Sequence, residues 1–128
     1  MNESIEEEIS LAEEKLEAAK YLYEGGYYRD AISRAYYCMY HSARSLLAIK
    51  EIYPKSHRGM LKLFGLEVVK KNEIEDLYGK ALGFAMDKRE KSDYDFSVQF
   101  SREEAKAVIE EADKFLKRIK KAVEELSH

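Results

Sequence analysis

The sequence predicts an all-α protein, an up-and-down bundle of four to five antiparallel helices forming one domain over residues 1–128. Three observations carry this reading. Apolar residues recur at helical spacing along most of the chain. Only one proline, Pro54, interrupts it. The connections between periodic segments are short, which makes consecutive helices neighbours that run antiparallel.

The first helix is expected over residues 4–24. Ser4 and Glu7 have the spacing of a capping box, and Glu6, Glu7 and Glu8 suit the positive end of the helix dipole. Ile5, Ile9, Ala12, Leu16 and Ala19 supply its apolar stripe, and Gly25 with Gly26 stops it. A second helix over residues 28–50 ends before Pro54, whose ring disfavours helix at Tyr53. Ser56 caps a third, reaching residue 71, with Met60, Leu63, Phe64 and Val68 inward and Asn72 as its stop. A fourth covers residues 74–89 with Leu77, Ala81, Leu82 and Met86, and Gly79 and Gly83 one turn apart allow close helix contact. In the stretch 92–100, Tyr94, Phe96, Val98 and Phe100 alternate with polar residues, as in an extended segment with one side pinned to the bundle. Ser101 and Glu104 form a second capping box, opening a final helix through Val108, Ala112, Phe115, Ile119, Val123 and Leu126.

Composition bounds the function. Hydrophobic residues make up 45% and charged residues 37% of 128 positions, enough for one core burying roughly two-thirds of the unfolded surface. Cys38 is the only cysteine, which excludes an internal disulfide. The N-terminus is acidic and helical in pattern, unlike a signal peptide, and no apolar run approaches the ~18 residues that span a bilayer. A soluble cytoplasmic protein with no membrane association is expected.

Net charge is −3, so the chain is not uniformly basic, but the charges are unevenly placed. Residues 1–24 hold eight acids and two lysines, whereas residues 25–62 hold two acids and seven Lys or Arg, with His41, His57 and six of the ten tyrosines. Two readings fit: a surface for phosphates and bases, or a segment that neutralises the acidic first helix across the bundle.

Arg34 and His41 lie seven residues apart, almost two helical turns, and so share a face with Tyr37, Cys38 and Ser45. Ile32, Ala35, Met39, Ala43 and Leu46 take the opposite, core-facing side. An imidazole moves protons near neutral pH and a guanidinium neutralises a phosphate bidentately. Together they suffice for metal-free RNA cleavage, with Tyr37 placed to stack on a base. The structural alternative is an arginine ion-paired within the bundle and a histidine satisfied by a neighbouring tyrosine. His57 and Arg58 follow Ser56 at a helix start, where free N–H groups favour an anion. Arg89 and Asp93 have the i, i+4 spacing of an ion pair. Cys38, His41 and His57 lack the support of any CxxC, HExxH or carboxylate cluster, so no metal site is expected, and no Walker, Rossmann or nucleophile-elbow pattern is present.

The run Tyr27-Tyr28-Arg-Asp-Ala-Ile-Ser-Arg34-Ala-Tyr-Tyr-Cys-Met-Tyr-His41-Ser-Ala resembles the signature helix of the HEPN superfamily, closest to a subgroup of short archaeal and bacterial HEPN-domain proteins. Lys55-Ser-His57-Arg-Gly59 before Phe64, Arg89-Glu-Lys-Ser-Asp93-Tyr94-Asp-Phe, and a last helix bearing Ala112 and Phe115 match that subgroup in the same order. The resemblance implies a helical bundle that dimerises and acts beside a minimal nucleotidyltransferase in a two-component or toxin–antitoxin pair. Competent members are metal-independent endoribonucleases with an Arg-x(4–6)-His motif, often paired across the dimer. Arg34 and His41, with six residues between them, fit that motif and are the expected catalytic pair. Ala35 departs from the polar residue that commonly follows the arginine. Many members also carry the motif on a later helix, nearer Arg89, where this chain has no histidine. Tyr37, His57, Arg58, Arg89, Asp93 and Tyr94 are the expected nucleotide- or RNA-binding residues, with no cofactor. The alternative is a non-catalytic dimeric protein-interaction module.

Overall fold

The first two helices form a hairpin whose turn is dictated by glycine. In the computed structural model, which describes residues 3–127, α1 (Glu3–Glu24) is closed by Gly26 in the left-handed region at φ +84°. Gly26 N–H donates to Tyr23 O and Tyr27 N–H donates to Leu22 O, the paired bonds of a Schellman closure. The chain reverses in three residues and enters α2 (Tyr28–Ile49).

α2 is the axis of the bundle. It packs against α1 most extensively, then against α5 (Arg102–Leu126), α4 (Asp76–Tyr94) and α3 (His57–Phe64). Being surrounded, it buries more than one face: Ile32, Ala35, Met39, Ala43 and Leu46 are inaccessible as expected, and so are Tyr36, Cys38 and Ser45. Cys38 and Ser45 therefore do not belong to the polar face. Cys38 Sγ contacts Ala112 O of α5 at 3.9 Å, and burial pushes its thiol up to about 12. Among the described residues the secondary structure is helical throughout, with no strand and no helix long and apolar enough to cross a membrane.

Four expected boundaries shift. Ser4 lies inside α1 rather than capping it, because the helix already includes Glu3. The third helix is not continuous to residue 71. After Phe64 it widens into a π-turn, Gly65–Val69, closed by Lys70 N–H to Gly65 O at 2.9 Å. Lys50, at the end of α2, pins this turn by donating to Glu67 O at 2.6 Å and pairing with Glu73. α4 starts at Asp76 and runs on to Tyr94, so Tyr94 is helical and 73% exposed rather than pinned. In the linker that follows, Phe96 is exposed while Val98 and Phe100 are half-buried.

Arg29 holds that linker. Its Nη1 donates to the carbonyls of Lys91, Ser92 and Asp95 at 3.2, 2.7 and 3.2 Å, and its Nη2 to Val98 O. Its guanidinium also lies 5.9 and 5.3 Å from the rings of Phe96 and Phe100. One cation at the base of α2 thus satisfies the last carbonyls of α4, where a helix carries its negative pole. Ser101 caps α5 by accepting from Glu104 N–H at 3.1 Å, as the sequence implies.

Candidate functional site

The polar side of α2 meets the start of α3 and the end of α4 in one cluster of rings and charges. Tyr36, Tyr37 and Tyr40 come from α2, His57 from the first position of α3, and Arg89 from the last turns of α4. His57 stands 4.6 Å from Tyr40 and 5.7 Å from Tyr37, centre to centre, and His41 stands 5.1 Å from Tyr40 and 6.4 Å from Tyr37. Both imidazoles therefore flank the same two tyrosine rings. The guanidinium of Arg89 is 5.3 Å from the Tyr36 ring and 5.8 Å from Tyr37. Local sequence explains His57's place. Ser56 caps α3 by accepting Gly59 N–H at 2.9 Å, and a Cβ at Gly59 would sit 2.9 Å from Ser56 Oγ, so glycine is what lets this cap close.

His41 is held by a residue from another helix. Its Nδ1 lies 2.8 Å from Glu8 Oε2 of α1, and Arg44 Nε donates to Glu8 Oε1 at 3.1 Å. Arg44 is fixed in turn by Pro54 O at 2.8 Å. Burial alone would raise the Glu8 carboxyl, but the bonds from His41 and Arg44 overcome it and hold Glu8 below 4.5. An ionised carboxylate only accepts, so Nδ1 of His41 must be the donor, and Nε2 is left to act outward. Among the described residues, Nε2 has no hydrogen-bond partner.

His57 has a different support. Its Nδ1 is 2.7 Å from the hydroxyl of Tyr36, a residue with no exposed surface. Burial raises the Tyr36 hydroxyl far above its ordinary value of 10, so it stays protonated. Burial first, and then the positive charge of Arg89, lower His57 below its ordinary 6.5, while Glu90 and Asp93 pull weakly the other way. Arg89 is 6% exposed and pairs loosely with Asp93 at 3.4 Å. Its Nε makes no hydrogen bond among the described residues.

Arg34 is exposed on α2, two turns before His41, and Arg58 is exposed on α3 beside His57. Among the described residues these two arginines have no hydrogen bond, ion pair or ring contact. The other five, Arg29, Arg44, Arg89, Arg102 and Arg118, all do. The central basic segment is thus only partly spent on the acidic first helix: Arg44 and His41 meet Glu8, whereas Arg34 and Arg58 meet nothing. Tyr94, the last residue of α4, borders an open groove with Asp87, Glu90, Lys91 and Asp95, and makes no ring contact with the cluster. A groove of about 640 Å³ lies elsewhere, between α1 and α5, where Glu6, Glu13 and Glu124 against the single Lys120 oppose a phosphate.

Of the residues singled out from sequence, the structure brings together Tyr37, His41, His57, Arg89 and Asp93. It leaves Arg34 and Arg58 at the surface and Tyr94 apart. Glu8, Tyr36, Tyr40 and Arg44 were missed. A signal for Glu8 existed, since it lies three residues after Ile5 and four before Ala12, on the buried stripe itself. Among the described residues, no group of three or more His, Cys, Asp or Glu is placed to hold a metal ion.

Comparison with known proteins agrees with this architecture. The model of the HEPN domain matches residues 5–122. A Methanocaldococcus jannaschii protein named "Putative toxin MJ0605" is 45% identical over 98% of this chain and 96% of its own length. A second from that organism, "Putative toxin MJ0142", is 38% identical over 91% of this chain and 80% of its own. A "UPF0332 protein" of Thermotoga maritima is 32% identical over 90% and 87%. Nearly the whole chain, including α2 and the cluster around it, is covered by these matches, and the protein belongs to the HEPN family.

Proposed function

We propose that the protein is a toxin-like HEPN protein that binds RNA and cleaves it without a metal ion, acting as a homodimer partnered by a minimal nucleotidyltransferase. The observation that carries this reading is the contrast between Arg34 and His41 and their neighbours. His41 is oriented by Glu8 with one nitrogen left over, and Arg34 is a cation with no partner among the described residues. Two relatives that carry the name "Putative toxin" support the toxin-like part of this reading.

In the reaction, His41 Nε2 takes the proton of a ribose 2′-hydroxyl, and the Glu8 carboxylate stabilises the imidazolium that forms. The 2′ oxygen bonds to phosphorus, the bond from phosphorus to the 5′ oxygen breaks, and that oxygen takes a proton from solvent. The products are a 2′,3′-cyclic phosphate and a 5′-hydroxyl end. Arg34 neutralises charge on a phosphate of the bound strand, Tyr37 offers a ring to a base, and His57, Arg58, Arg89 and Asp93 shape the surrounding contact. Two turns of helix separate Arg34 from His41 by roughly 10 Å along α2, so each contacts a different part of the strand or completes the site of the other protomer.

The test is incubation of purified protein with structured RNA in EDTA, wild type beside His41→Ala and Arg34→Ala. Cleavage by wild type and its loss in both variants is expected, whereas equal cleavage by all three refutes the assignment. A second reading, a protein-interaction module, is favoured by one observation: Leu77 and Phe84 are 60% and 70% exposed on α4, beside a groove floored by Ala81, Ala85 and Val108. It predicts that Phe84→Asp changes elution in size-exclusion chromatography while leaving RNA binding intact.

A further inference from the structure

We infer that His41 and His57 are locked in opposite tautomers and form a complementary pair on one protomer, with His41 presenting a lone pair and His57 an N–H to the same phosphodiester. The inference deepens the RNA reading above and rests on it for its function, though not for its geometry.

The argument is one of donors and acceptors. Glu8 offers His41 only an acceptor, so the hydrogen of the neutral ring is on Nδ1 and the lone pair on Nε2. Tyr36 offers His57 a hydroxyl that is fully buried and has no other acceptor among the described residues. A buried O–H is donated where an acceptor exists, and the acceptor here is His57 Nδ1. The hydrogen of the neutral His57 ring is therefore on Nε2. Two supports of opposite polarity produce two opposite rings.

The two rings are also near each other. Each packs on Tyr40 and Tyr37, at 5.1 and 4.6 Å from the Tyr40 centre, so the two imidazole centres are no more than about 10 Å apart. Arg89, against the rings of Tyr36 and Tyr37, places a cation behind His57 and disfavours a second proton on it. Tyr37, Tyr40, Glu90, Asp93 and His41 complete the groups that face this ring. A neutral imidazole in that state is a hydrogen-bond donor rather than a strong acid. It suits a non-bridging phosphate oxygen whose charge grows as the 2′ oxygen attacks, and it transfers no proton. Tyr36 acts through His57 and is a positioning residue.

The experiment is nitrogen-15 NMR of the histidine rings in the full chain near pH 7.5, before and during titration with a single-stranded RNA decamer carrying 2′-fluoro sugars, which cannot be cleaved. The expected result is Nδ1–H for His41 and Nε2–H for His57 in the free protein, with both Nε2 signals moving on titration. Tyr36→Phe is expected to leave His57 a mixture of tautomers and to weaken decamer binding roughly fivefold to tenfold. His57→Gln, which keeps a donor, is expected to bind better than His57→Ala. Nδ1–H on His57, or a His57 signal that stays still while His41 moves, overturns the inference and leaves the RNA reading standing. If neither ring responds, both are overturned.

Discussion

Glu8→Gln isolates the contribution of one carboxylate to both stability and site geometry. The side chain keeps its shape, but its amide can accept from only one of two donors, and its NH2 group then faces the other. The wild-type carboxylate receives His41 at 2.8 Å and Arg44 at 3.1 Å, and the three side chains are only 16–21% exposed. Losing one charge-assisted bond in such surroundings costs ~1.5–3 kcal/mol. Arg44 keeps its bond to Pro54 O, which softens the loss of its counter-charge. A net destabilisation of about 1.5–3 kcal/mol follows, or about 5–12 °C in Tm for a chain of this length. Urea unfolding followed by circular dichroism at neutral pH measures it. The sign of its pH dependence is fixed as well. Glu8 is held below 4.5 in the folded state, so its contribution is fully present above that value and fades as pH falls through the folded value. The gap between wild type and variant must therefore narrow in acid. A variant as stable as wild type at pH 7, or a gap that persists in acid, would refute the claim that this carboxylate works as an ion.

Arg29→Met keeps the aliphatic stem but removes the donors that close α4, and a loss of about 2 kcal/mol is expected, with faster amide exchange confined to residues 95–100. Unchanged exchange there would mean that Val98 and Phe100 alone hold the linker. Arg89→Gln removes the cation behind His57, so the midpoint of His57 titration, followed by NMR, is expected to rise; an unchanged or lower midpoint would show that burial alone sets it. Replacing Arg34 and Arg58 together by Ala should shift Tm by no more than about 3 °C, because neither side chain has a partner to lose among the described residues. The same pair should flatten the salt dependence of RNA binding by roughly 0.7 per phosphate contact removed, and an unchanged slope would place the RNA elsewhere.

Helix existence was legible in the sequence because periodicity reports burial, and burial follows from a single amphipathic face. It worked for α1 and α5, each packed on one side. It misled on α2, where Cys38 and Ser45 look polar-facing in a helical projection but are fully buried, Cys38 against Ala112 of α5. A helix at the centre of a bundle has no single outer face, and residues as small as Cys and Ser are buried without a strong hydrophobic signal. The π-turn at Gly65–Val69 left no mark because one wider turn shifts the repeat without breaking it. The candidate site was half legible. Its histidines and Arg89 were found from spacing, His41 from Arg34, His57 from the Ser56 helix start and Arg89 from Asp93, together with the family resemblance. Glu8 was hidden among three consecutive glutamates, whose common explanation is the helix dipole. Only the packing of α1 on α2 distinguishes the one that turns inward.

That distinction between employed and unemployed charge is the most useful result for function. Seven arginines occur in 128 residues. Arg29 binds four carbonyls, Arg44 clamps Glu8, Arg89 lies on two tyrosines, Arg102 meets Tyr23 and Arg118 meets Glu75. A guanidinium on a surface costs a small protein little, and an unpaired one is ordinary in isolation. Here, however, the two without partners among the described residues lie on the two helices that carry the histidines, Arg34 on α2 two turns before His41 and Arg58 on α3 next to His57. Among the described residues no bond ties either of them to the fold. The cluster is built from buried Tyr36, buried Arg89 and the clamped Glu8, whereas Arg34 and Arg58 are exposed. Under the proposed function, packed rings beside exposed cations suit a ligand whose bases and phosphates alternate better than they suit a small anion.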